Sequence, residues 1–324
     1  MPVCRCTLKS CSEDGFSAAG KRAFTDGRSK VPHQLDFTRK DVIQHREDQV
    51  KTLSISGVQD KISLQLHRGK FTPVSSGGSF ILKPIPGNIN LQHIEAVPAN
   101  EHLTMQLAGQ VFDIKTPACA LVDLADGEPA YIVRRFDQYA NGKKRLQEDF
   151  CQLANRSEDT HGQNYKYDAT QEETGRILKR FSSTYAVQIE DLFRRHVFNY
   201  VFSNGDAHLK NFSLLESSFG DHLLSPAYDL LCTGLHLPSE FRCALDMFDT
   251  SETSFFKQNG FYGRPDFLLL ADRFGIRNET ALSILDEFAQ RTSNVEALVK
   301  RSFLPKPLQQ LYLDKMEDRL LAIR

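Results

Sequence analysis

The sequence predicts an α+β fold of two lobes, in which a β-rich first lobe precedes a helical second lobe. Apolar residues alternate with polar ones from Leu53 to Leu66, which is typical of strands. From residue 188 onward they return every three to four positions, which is typical of helices. We place the lobe boundary near residues 136–140, and the length of 324 residues is sufficient for both lobes.

The first lobe, residues 51–137, follows residues 1–50, whose weak patterning predicts a loosely structured lead-in. A helix is predicted from Pro98 to Gly109, because Pro favours the start and Gly the end of a helix. The predicted strands are two antiparallel strands within residues 53–66 joined by GVQD, then residues 79–84, 116–122 and 129–136.

The second lobe, residues 138–324, is predicted to be mostly helical. In QIEDLFRRHVFNYV, residues 188–201, the apolar side chains share one stripe, with Arg194 and Arg195 opposite. The polar stretch 155–168 is predicted to be a mobile substrate loop. The other predicted helices, delimited by Pro, Gly or capping residues, are residues 265–274, 279–291, 293–302 and 306–322.

Charge and composition limit the classes of partner. Lys plus Arg total 40 and Asp plus Glu 41, so no global charge attracts nucleic acid or an anionic membrane. Contact with DNA is therefore expected only indirectly, through a protein partner. No apolar run approaches the roughly 20 residues of a membrane span, and the N-terminus lacks the apolar core of a signal peptide. We expect a cytoplasmic protein without membrane contact.

The cysteines favour reduced thiols over disulfides, because their number, seven, is odd and four of them stand singly among apolar residues. Cys4, Cys6 and Cys11 are closer together, but their C-x-C-x4-C spacing lacks the C-x2-C pair of common zinc sites. A degenerate or flexible N-terminal segment is favoured over a zinc site, and no role follows for these three cysteines.

The segment VFSNGDAHLKNFSLL, residues 201–215, interrupts an apolar run with a polar cluster. Asp206 and Asn211 stand five residues apart in it, in a predicted turn after a helix. In kinases an Asp that orients the substrate hydroxyl precedes an Asn that binds Mg²⁺ at this spacing, since both face one transferred phosphoryl group. A capped loop would contain the same two residues, so the pair alone does not decide.

Three further residues fit the same chemistry. Asp229 lies between apolar runs in LLSPAYDLL, where a carboxylate is costly to bury unless it is paired or binds a cation. Lys83 ends a predicted strand and suits nucleotide phosphates, with Glu101 on the next helix to hold it. A turn after Pro226 is the alternative for Asp229, and a lysine that reaches solvent is the alternative for Lys83.

The stretch SISGVQDK, residues 54–61, is the candidate phosphate-covering loop, because Gly57 and successive backbone N–H groups could form an anion nest. With one glycine it matches a Gly-rich loop only in part. The sequence has no Walker-type G-x4-G-K-[ST] motif. The candidates nevertheless follow the order found in kinases, which is loop, Lys83, Glu101, Asp206, Asn211 and Asp229.

Seven blocks along the chain resemble those of the HipA-like serine/threonine kinases, which are toxins of bacterial toxin–antitoxin modules. In order they are SISGVQDKISL, ILKPI, PANEHL, RRFDQ, QEDFCQ, NGDAHLKNFSLL and SPAYDLL. The short segment before them and the SIS loop resemble the HipT-type branch, in which the front subdomain of HipA is a separate small protein. The resemblance implies a two-lobed protein-kinase-like (HipA-like) fold.

The resemblance also implies roles for the candidates. Asp206 is the implied catalytic aspartate, and Asn211 and Asp229 are the implied Mg²⁺ ligands. Asn204 and Gly205 replace the His-Arg that precedes the aspartate of ordinary kinases. Either His208 or Lys210 then takes the phosphate-contacting position, and the sequence does not decide between them. The residues implied to bind ATP are Ser56, Gly57, Val58, Gln59, Asp60, Lys61, Lys83, Glu101, Phe136, His208 and Lys210.

Ser54 and Ser56 are the implied sites of autophosphorylation. A phosphoserine carries about −1.5 to −2 charges, so one beside the triphosphate site would repel ATP or displace the loop. The alternative is that these serines are merely a hydroxylated strand edge.

The leading hypothesis from the sequence is an ATP- and Mg²⁺-dependent serine/threonine protein kinase that is the toxin of a toxin–antitoxin system. By resemblance its substrate is an aminoacyl-tRNA synthetase, typically tryptophanyl-tRNA synthetase in the HipT-type branch. Its implied partners are small HipS-like and helix-turn-helix HipB-like antitoxin proteins. A pseudokinase that serves as a binding arm of a repressor complex and a kinase of small molecules are the two alternatives.

Overall fold

The computed structural model describes residues 2–12, 15–25, 31–49, 60–87, 90–139, 142–250 and 252–324, and only the backbone of residues 46–49. The chain divides into two compact units. The first unit consists of Met1–Leu107, Pro117–Lys143 and Ala297–Gln309, and the second of Ala108–Thr116, Lys144–Glu296 and Gln310–Arg324. Each unit therefore collects segments from distant parts of the sequence.

The first unit contains a five-stranded antiparallel sheet in the order β2-β1-β3-β5-β4. Its strands are β1 (Ile62–His67), β2 (Lys70–Pro73), β3 (Phe80–Pro84), β4 (Cys119–Asp123) and β5 (Pro129–Arg134). The helices of this part of the chain are α1 (Ala18–Thr25), α2 (Arg39–Gln49) and α3 (Val97–Gln110). The three later predicted strands and the predicted helix are confirmed as β3, β4, β5 and α3.

The hairpin of β1 and β2 was not predicted from the sequence. Arg68 and Gly69 form its two-residue turn, and both have positive φ, 48° and 78°, as in a type I′ turn. Glycine adopts this backbone conformation without strain. The predicted strand at residues 53–56 and most of the predicted GVQD turn lie outside the described residues. Within the described residues, β1 pairs with β2 and β3.

Strands β3, β4 and β5 have buried residues on both faces of the sheet, whereas β1 and β2 are fully buried on one face only. On one face Leu64, Leu82 and Ile132 belong to a single apolar cluster. On the other face Lys83 stands opposite Tyr131, and Cys119 accepts a hydrogen bond of 3.2 Å from Gln106 of α3. Because successive side chains of a strand point to opposite faces, α3 packs on the face that carries Lys83.

The N-terminal residues are more ordered than expected. Instead of a loosely structured lead-in, the described part of residues 1–50 includes α1 and α2. Phe24 of α1 is completely buried, and its ring centroid lies 5.1 Å from that of Phe80 in β3. The apolar residues here are too widely spaced to give a period, yet several of them are buried in the apolar cluster of the sheet. These are Cys4, Cys6, Phe16, Phe24, Leu35 and Val42.

After residue 144 the chain is mostly helical, as predicted. Its helices are α4 (Phe150–Leu153), α5 (Glu158–His161), α6 (Gln171–Phe181), α7 (Tyr185–Val201), α8 (Ser254–Asn259), α9 (Arg264–Arg273), α10 (Asn278–Gln290), α11 (Thr292–Val299) and α12 (Lys306–Ile323). The predicted helices at residues 188–201 and after residue 264 are confirmed as α7 and α9 to α12. Among the helices of the described ranges, none has the length and apolar content to cross a membrane.

The second unit also contains a small antiparallel sheet in the order β6-β7-β8. Its strands are β6 (Gln147–Asp149), β7 (Ser213–Glu216) and β8 (His222–Leu224). Three or four residues are too few for alternation to be recognised in a sequence, so this sheet was not predicted. β7 begins two residues after Asn211, and the sheet therefore fixes one end of the polar segment.

We expect Phe24→Ala to lower the free energy of unfolding by about 3–5 kcal/mol, because truncation of a fully buried phenylalanine loses apolar contacts and leaves a cavity. Chemical denaturation followed by circular dichroism measures this. Phe219→Ala is the matched control, since Phe219 is 90% exposed and its loss should change stability by less than about 0.5 kcal/mol. Equal effects of the two changes would show that α1 does not stabilise the first unit.

Candidate active site

A buried ion pair lies on the sheet of the first unit. The Lys83 Nζ and Glu101 Oε1 atoms are 2.5 Å apart, and the two side chains are only 5% and 3% exposed. The ammonium group also lies 5.5 Å from the centre of the Tyr131 ring. Two buried charges are tolerated because each is close to the other, and loss of one partner would be strongly destabilising.

Local sequence explains how this pair is presented. Lys83 is in β3, which has neighbours on both sides, and its side chain projects from the face on which α3 lies. Glu101 is in the first half of α3, where nearly every side chain is buried. The Thr104 hydroxyl donates to the Asn100 carbonyl oxygen at 2.9 Å, which satisfies one of the polar groups within this buried helix. Both charged residues therefore lie in regular secondary structure, Lys83 in a strand and Glu101 in a helix.

The polar segment of the second unit forms a tight hydrogen-bonded loop after α7. Asn204 is buried, and its amide nitrogen donates to Asn199 Oδ1 at 2.9 Å. Its own side-chain oxygen accepts from the Asp206 backbone N–H at 3.2 Å. Further along, the His208 N–H donates to the Asp206 carbonyl at 2.8 Å and the Asn211 N–H to the His208 carbonyl at 2.9 Å. These bonds place Asp206 and Asn211 in one compact loop.

The Asp206 carboxylate is half exposed, and two side chains approach the same oxygen. The Tyr167 hydroxyl donates to Asp206 Oδ1, and His208 Nε2 lies 3.7 Å from it. Burial raises the pKa of Tyr167, and the hydrogen bond to Asp206 adds to the increase. Sequence reasoning missed Tyr167, because it stands 39 residues before Asp206 in a polar stretch without a motif.

His208 is turned inward from this loop. Burial lowers its pKa, although the Asp206 carboxylate opposes the decrease. Its Nδ1 atom is buried and has no hydrogen-bond partner within the part of the chain that the structure describes. A buried nitrogen without a partner is unusual in proteins. The His208 Nδ1 atom is therefore able to form a hydrogen bond with a polar group of a ligand.

Lys210 points to a different group of side chains. Its Nζ atom lies 3.4 Å from the Tyr165 hydroxyl and 3.9 Å from Asp149 Oδ2. Burial alone would lower the pKa of Lys210, but the nearby Asp149 carboxylate raises it, so the amine stays charged. Asp149 is also the N-cap of α4 and forms a capping box with Gln152. Helix capping thus accounts for two polar residues of the QEDFCQ block. The choice between His208 and Lys210 as phosphate contact stays open.

Asp229 follows Tyr228, which connects its segment to the loop of Asn211. The Tyr228 hydroxyl donates to the Lys210 carbonyl at 2.8 Å and lies 3.1 Å from Ser213 Oγ. Lys210 and Tyr228 immediately precede Asn211 and Asp229, so this bond links the two chain segments that contain the predicted ligands. Asp229 itself has a φ of 55°, a conformation that non-glycine residues rarely adopt and that is common at functional sites.

The donors of Asn211 and Asp229 suit Mg²⁺, which prefers oxygen ligands and is commonly bound by one or two protein carboxylates together with phosphate oxygens and water. An amide oxygen and a carboxylate form only part of such a set. Within the described ranges, no three or more His, Cys, Asp or Glu residues are grouped so that they could hold a metal without a ligand's help. The chemistry of the two side chains nevertheless fits Mg²⁺, because both offer oxygen donors.

The remaining predicted site residues divide into described and undescribed ones. Asp60 lies 3.7 Å from Arg39 Nη2, and Lys61 is exposed at the start of β1. Phe136 is partly buried just after β5. Ser54, Ser56, Gly57, Val58 and Gln59 lie outside the described residues.

The fold and these two clusters define a kinase-like protein, and comparison with solved structures agrees. HipA of Shewanella oneidensis MR-1, in a toxin–antitoxin complex with HipB and operator DNA, matches with a TM-score of 0.61 and 20% identity over 93% of this chain and 72% of that one. The Helicobacter pylori proinflammatory kinase CtkA matches with a TM-score of 0.55 and 13% identity over 83% of this chain and 93% of that one. At these identities the matches establish the fold.

The HipA-like C-terminal domain family matches residues 53–295, and the chain belongs to this family. A Haemophilus influenzae protein named "Putative kinase" is 28% identical over 346 aligned positions, which cover 100% of this chain and 98% of that protein. The HipA-like fold and family expected from the seven blocks are therefore confirmed.

We expect Lys83→Met to destabilise the protein by about 3–5 kcal/mol, because the Glu101 carboxylate would stay buried without the lysine ammonium. The double variant Lys83→Met, Glu101→Gln should recover most of the loss, and urea denaturation measures both. The matched control is Arg324→Met, which breaks an exposed pair with Glu317 of 2.7 Å and should cost less than about 1 kcal/mol. A Lys83 effect as small as the control effect would contradict a buried ion pair.

Proposed function

We propose that the chain is an ATP- and Mg²⁺-dependent serine/threonine protein kinase. The observation that carries the proposal is the single hydrogen-bonded loop that contains Asp206 and Asn211, which the Tyr228 hydroxyl links to the segment of Asp229. A phosphoryl-transfer site needs an aspartate for the incoming hydroxyl and oxygen ligands for the metal in one place. The buried Lys83–Glu101 pair supplies the cation that such sites direct at the nucleotide.

Each residue then has one task in the mechanism. Asp206 accepts a hydrogen bond from the Ser or Thr hydroxyl and orients its oxygen towards the γ-phosphorus. It takes the hydroxyl proton as the oxygen–phosphorus bond forms, while the bond from the γ-phosphorus to the bridging oxygen breaks and ADP leaves. Glu101 fixes the Lys83 ammonium, which stabilises the negative charge of the phosphate oxygens. Asn211 and Asp229 would hold Mg²⁺, which supplies further charge neutralisation when bound.

The proposed biological role is that of a HipT-type toxin with an aminoacyl-tRNA synthetase as substrate. Tryptophanyl-tRNA synthetase is the substrate typical of this branch. Membership of the HipA-like family supports a toxin, and the similar Shewanella HipA is bound to HipB and operator DNA. We accordingly propose a small HipS-like protein and a helix-turn-helix HipB-like protein as antitoxin partners, with DNA contacted through the latter. The resemblance of the SIS loop supports autophosphorylation of Ser54 and Ser56.

A second candidate is a binding module without turnover, and one observation favours it. The Tyr167 hydroxyl is bonded to the Asp206 oxygen that a substrate hydroxyl would approach. If this bond persists when ATP is bound, the protein would bind nucleotide without transferring phosphate. The half-exposed Asp206 side chain favours the enzyme, because its carboxylate is accessible to a substrate.

We expect Asp206→Asn to reduce phosphate transfer about 10²–10⁴-fold, because an amide cannot take the hydroxyl proton. The measurement is transfer from radiolabelled ATP to the protein itself and to purified tryptophanyl-tRNA synthetase, with mass spectrometry of residues 50–61. Asp272→Asn is the control, since Asp272 is an exposed residue of α9 outside the candidate site.

Three outcomes of this experiment distinguish the candidates. Phosphate on Ser54 or Ser56 in wild type and its absence in Asp206→Asn supports the kinase with autophosphorylation. Mg²⁺-dependent ATP binding without transfer to any protein, by chain freed of phosphate, favours the binding module. Full transfer by the Asp206 variant would defeat the assignment of Asp206.

A further inference from the structure

A hydrogen-bonded network joins the backbone before Asp206 to a second acidic residue, Glu240. The Thr233 hydroxyl oxygen accepts a hydrogen bond of 2.7 Å from the Gly205 N–H. The same oxygen lies 3.0 Å from the Ser203 carbonyl oxygen and 2.6 Å from Glu240 Oε1. Thr233 is buried, so no bulk water replaces these partners. The position of the Asp206 loop therefore depends on how this hydroxyl shares its bonds.

The protonation state of Glu240 decides how the bonds are shared. Thr233 has one hydroxyl proton and two oxygens within reach of it. When Glu240 is ionised, Thr233 gives its proton to the carboxylate and the Ser203 carbonyl loses this donor. When Glu240 is protonated, it donates to Thr233, whose own proton is then free for Ser203. The Ser203 carbonyl also accepts from the Gly234 N–H at 3.2 Å, so only the protonated form of Glu240 gives it a second donor, the Thr233 hydroxyl.

The surroundings bring the titration of Glu240 close to neutral pH, so both protonation states are populated there. Burial raises the pKa of Glu240 to about 7, and the negative charge of Asp206 adds to the increase. The Thr233 hydroxyl, the Arg319 guanidinium and the Gly205 backbone N–H oppose it. The groups facing the network from neighbouring elements are Asp206, Tyr167, Cys232, Lys315 and Arg319.

Gly205 leaves space for the Glu240 carboxyl group next to the backbone of the Asp206 loop. A Cβ atom at this position would lie 2.5 Å from Glu240 Oε2, which is closer than real Cβ contacts allow. The absence of a side chain thus lets the Glu240 carboxyl reach the backbone next to Asp206. On the other side of the loop, Arg319 of α12 donates to the Ser203 hydroxyl at 3.2 Å, so the loop is held from two sides.

We propose that Glu240, acting through Thr233, is a positioning residue that holds the Asp206 loop while its carboxyl is protonated and loosens the loop when it is ionised. The inference rests on the proposed kinase function, in which Asp206 orients the substrate hydroxyl. Glu240 does not touch the substrate, and its effect on phosphate transfer passes through the Ser203 and Gly205 backbone. The expected consequence is a fall in activity as the pH rises through neutrality.

The first test compares the pH profile of kcat for Glu240→Gln and wild type. Glutamine cannot ionise and keeps a donor for Thr233, so the ratio of variant to wild-type kcat should rise about threefold or more between about pH 6 and pH 8.5. Glu252→Gln, at an exposed residue, should give a constant ratio. A constant ratio for Glu240→Gln as well would overturn the proposal.

The second test removes the hydroxyl that transmits the effect. Thr233→Val should speed amide hydrogen exchange in residues 203–206 and lower kcat about 10-fold or more, because a small misplacement of a catalytic group is costly. Thr233→Ser, which retains the hydroxyl, should restore both. Unchanged exchange in the valine variant would overturn the proposal.

A third measurement separates this inference from the proposed function, because it needs no phosphate transfer. An acid whose pKa is raised from 4.5 to about 7 on folding binds its proton more tightly in the folded state. Stability then falls as pH rises through this interval. The thermal midpoint of wild type should therefore fall relative to that of Glu240→Gln over the same range. Parallel curves would refute the network, whereas an inactive wild type with diverging curves would refute only the kinase function.

Discussion

A buried lysine needs an acidic partner, and this constraint organises the first unit. Lys83 and Glu101 are nearly inaccessible, so each depends on the other for its charge to be tolerated. Strand β3 must then have neighbours on both sides and α3 must lie on the face from which Lys83 projects. The opposite face has to be covered by something else, and the N-terminal residues around Phe24 do so. The N-terminal segment, although its sequence shows no recognisable pattern, thus covers the face of the sheet opposite the Lys83–Glu101 pair.

The second unit solves a different problem, which is to keep polar side chains accessible on a fixed backbone. The loop of Asp206 achieves this with short-range bonds through Asn204 and His208, and with one bond from Tyr228 to Lys210. The backbone groups are satisfied internally, so the Asp206 carboxylate can stay half exposed without loss of position. The Asp206 carboxylate is therefore accessible to a ligand, while neighbouring residues hold the backbone of the loop.

Sequence patterns were sufficient to predict features that depend on a single helix, strand or loop. Strand β3 and helix α7 followed from periodicity, and the five-residue spacing of Asp206 and Asn211 was enough to suggest that both belong to one loop. Contacts between segments that are distant in the sequence could not be predicted from these patterns. Tyr167 meets Asp206 across 39 residues, and the apolar residues before α2 show no period although they are buried. Such contacts arise from packing of elements, which a pattern within one element does not contain.

The replacement of the usual His-Arg by Asn204 and Gly205 illustrates how a departure from a motif can carry information. A side chain at position 205 would occupy the space of the Glu240 carboxyl. With glycine there, an acidic group enters a partly buried place near Asp206, where two ionised carboxylates would repel each other. Thr233 offers the entering group a hydrogen bond in either protonation state, but the backbone of Ser203 gains from only one of them. The loop geometry is therefore tied to the charge of a residue that lies outside the motif.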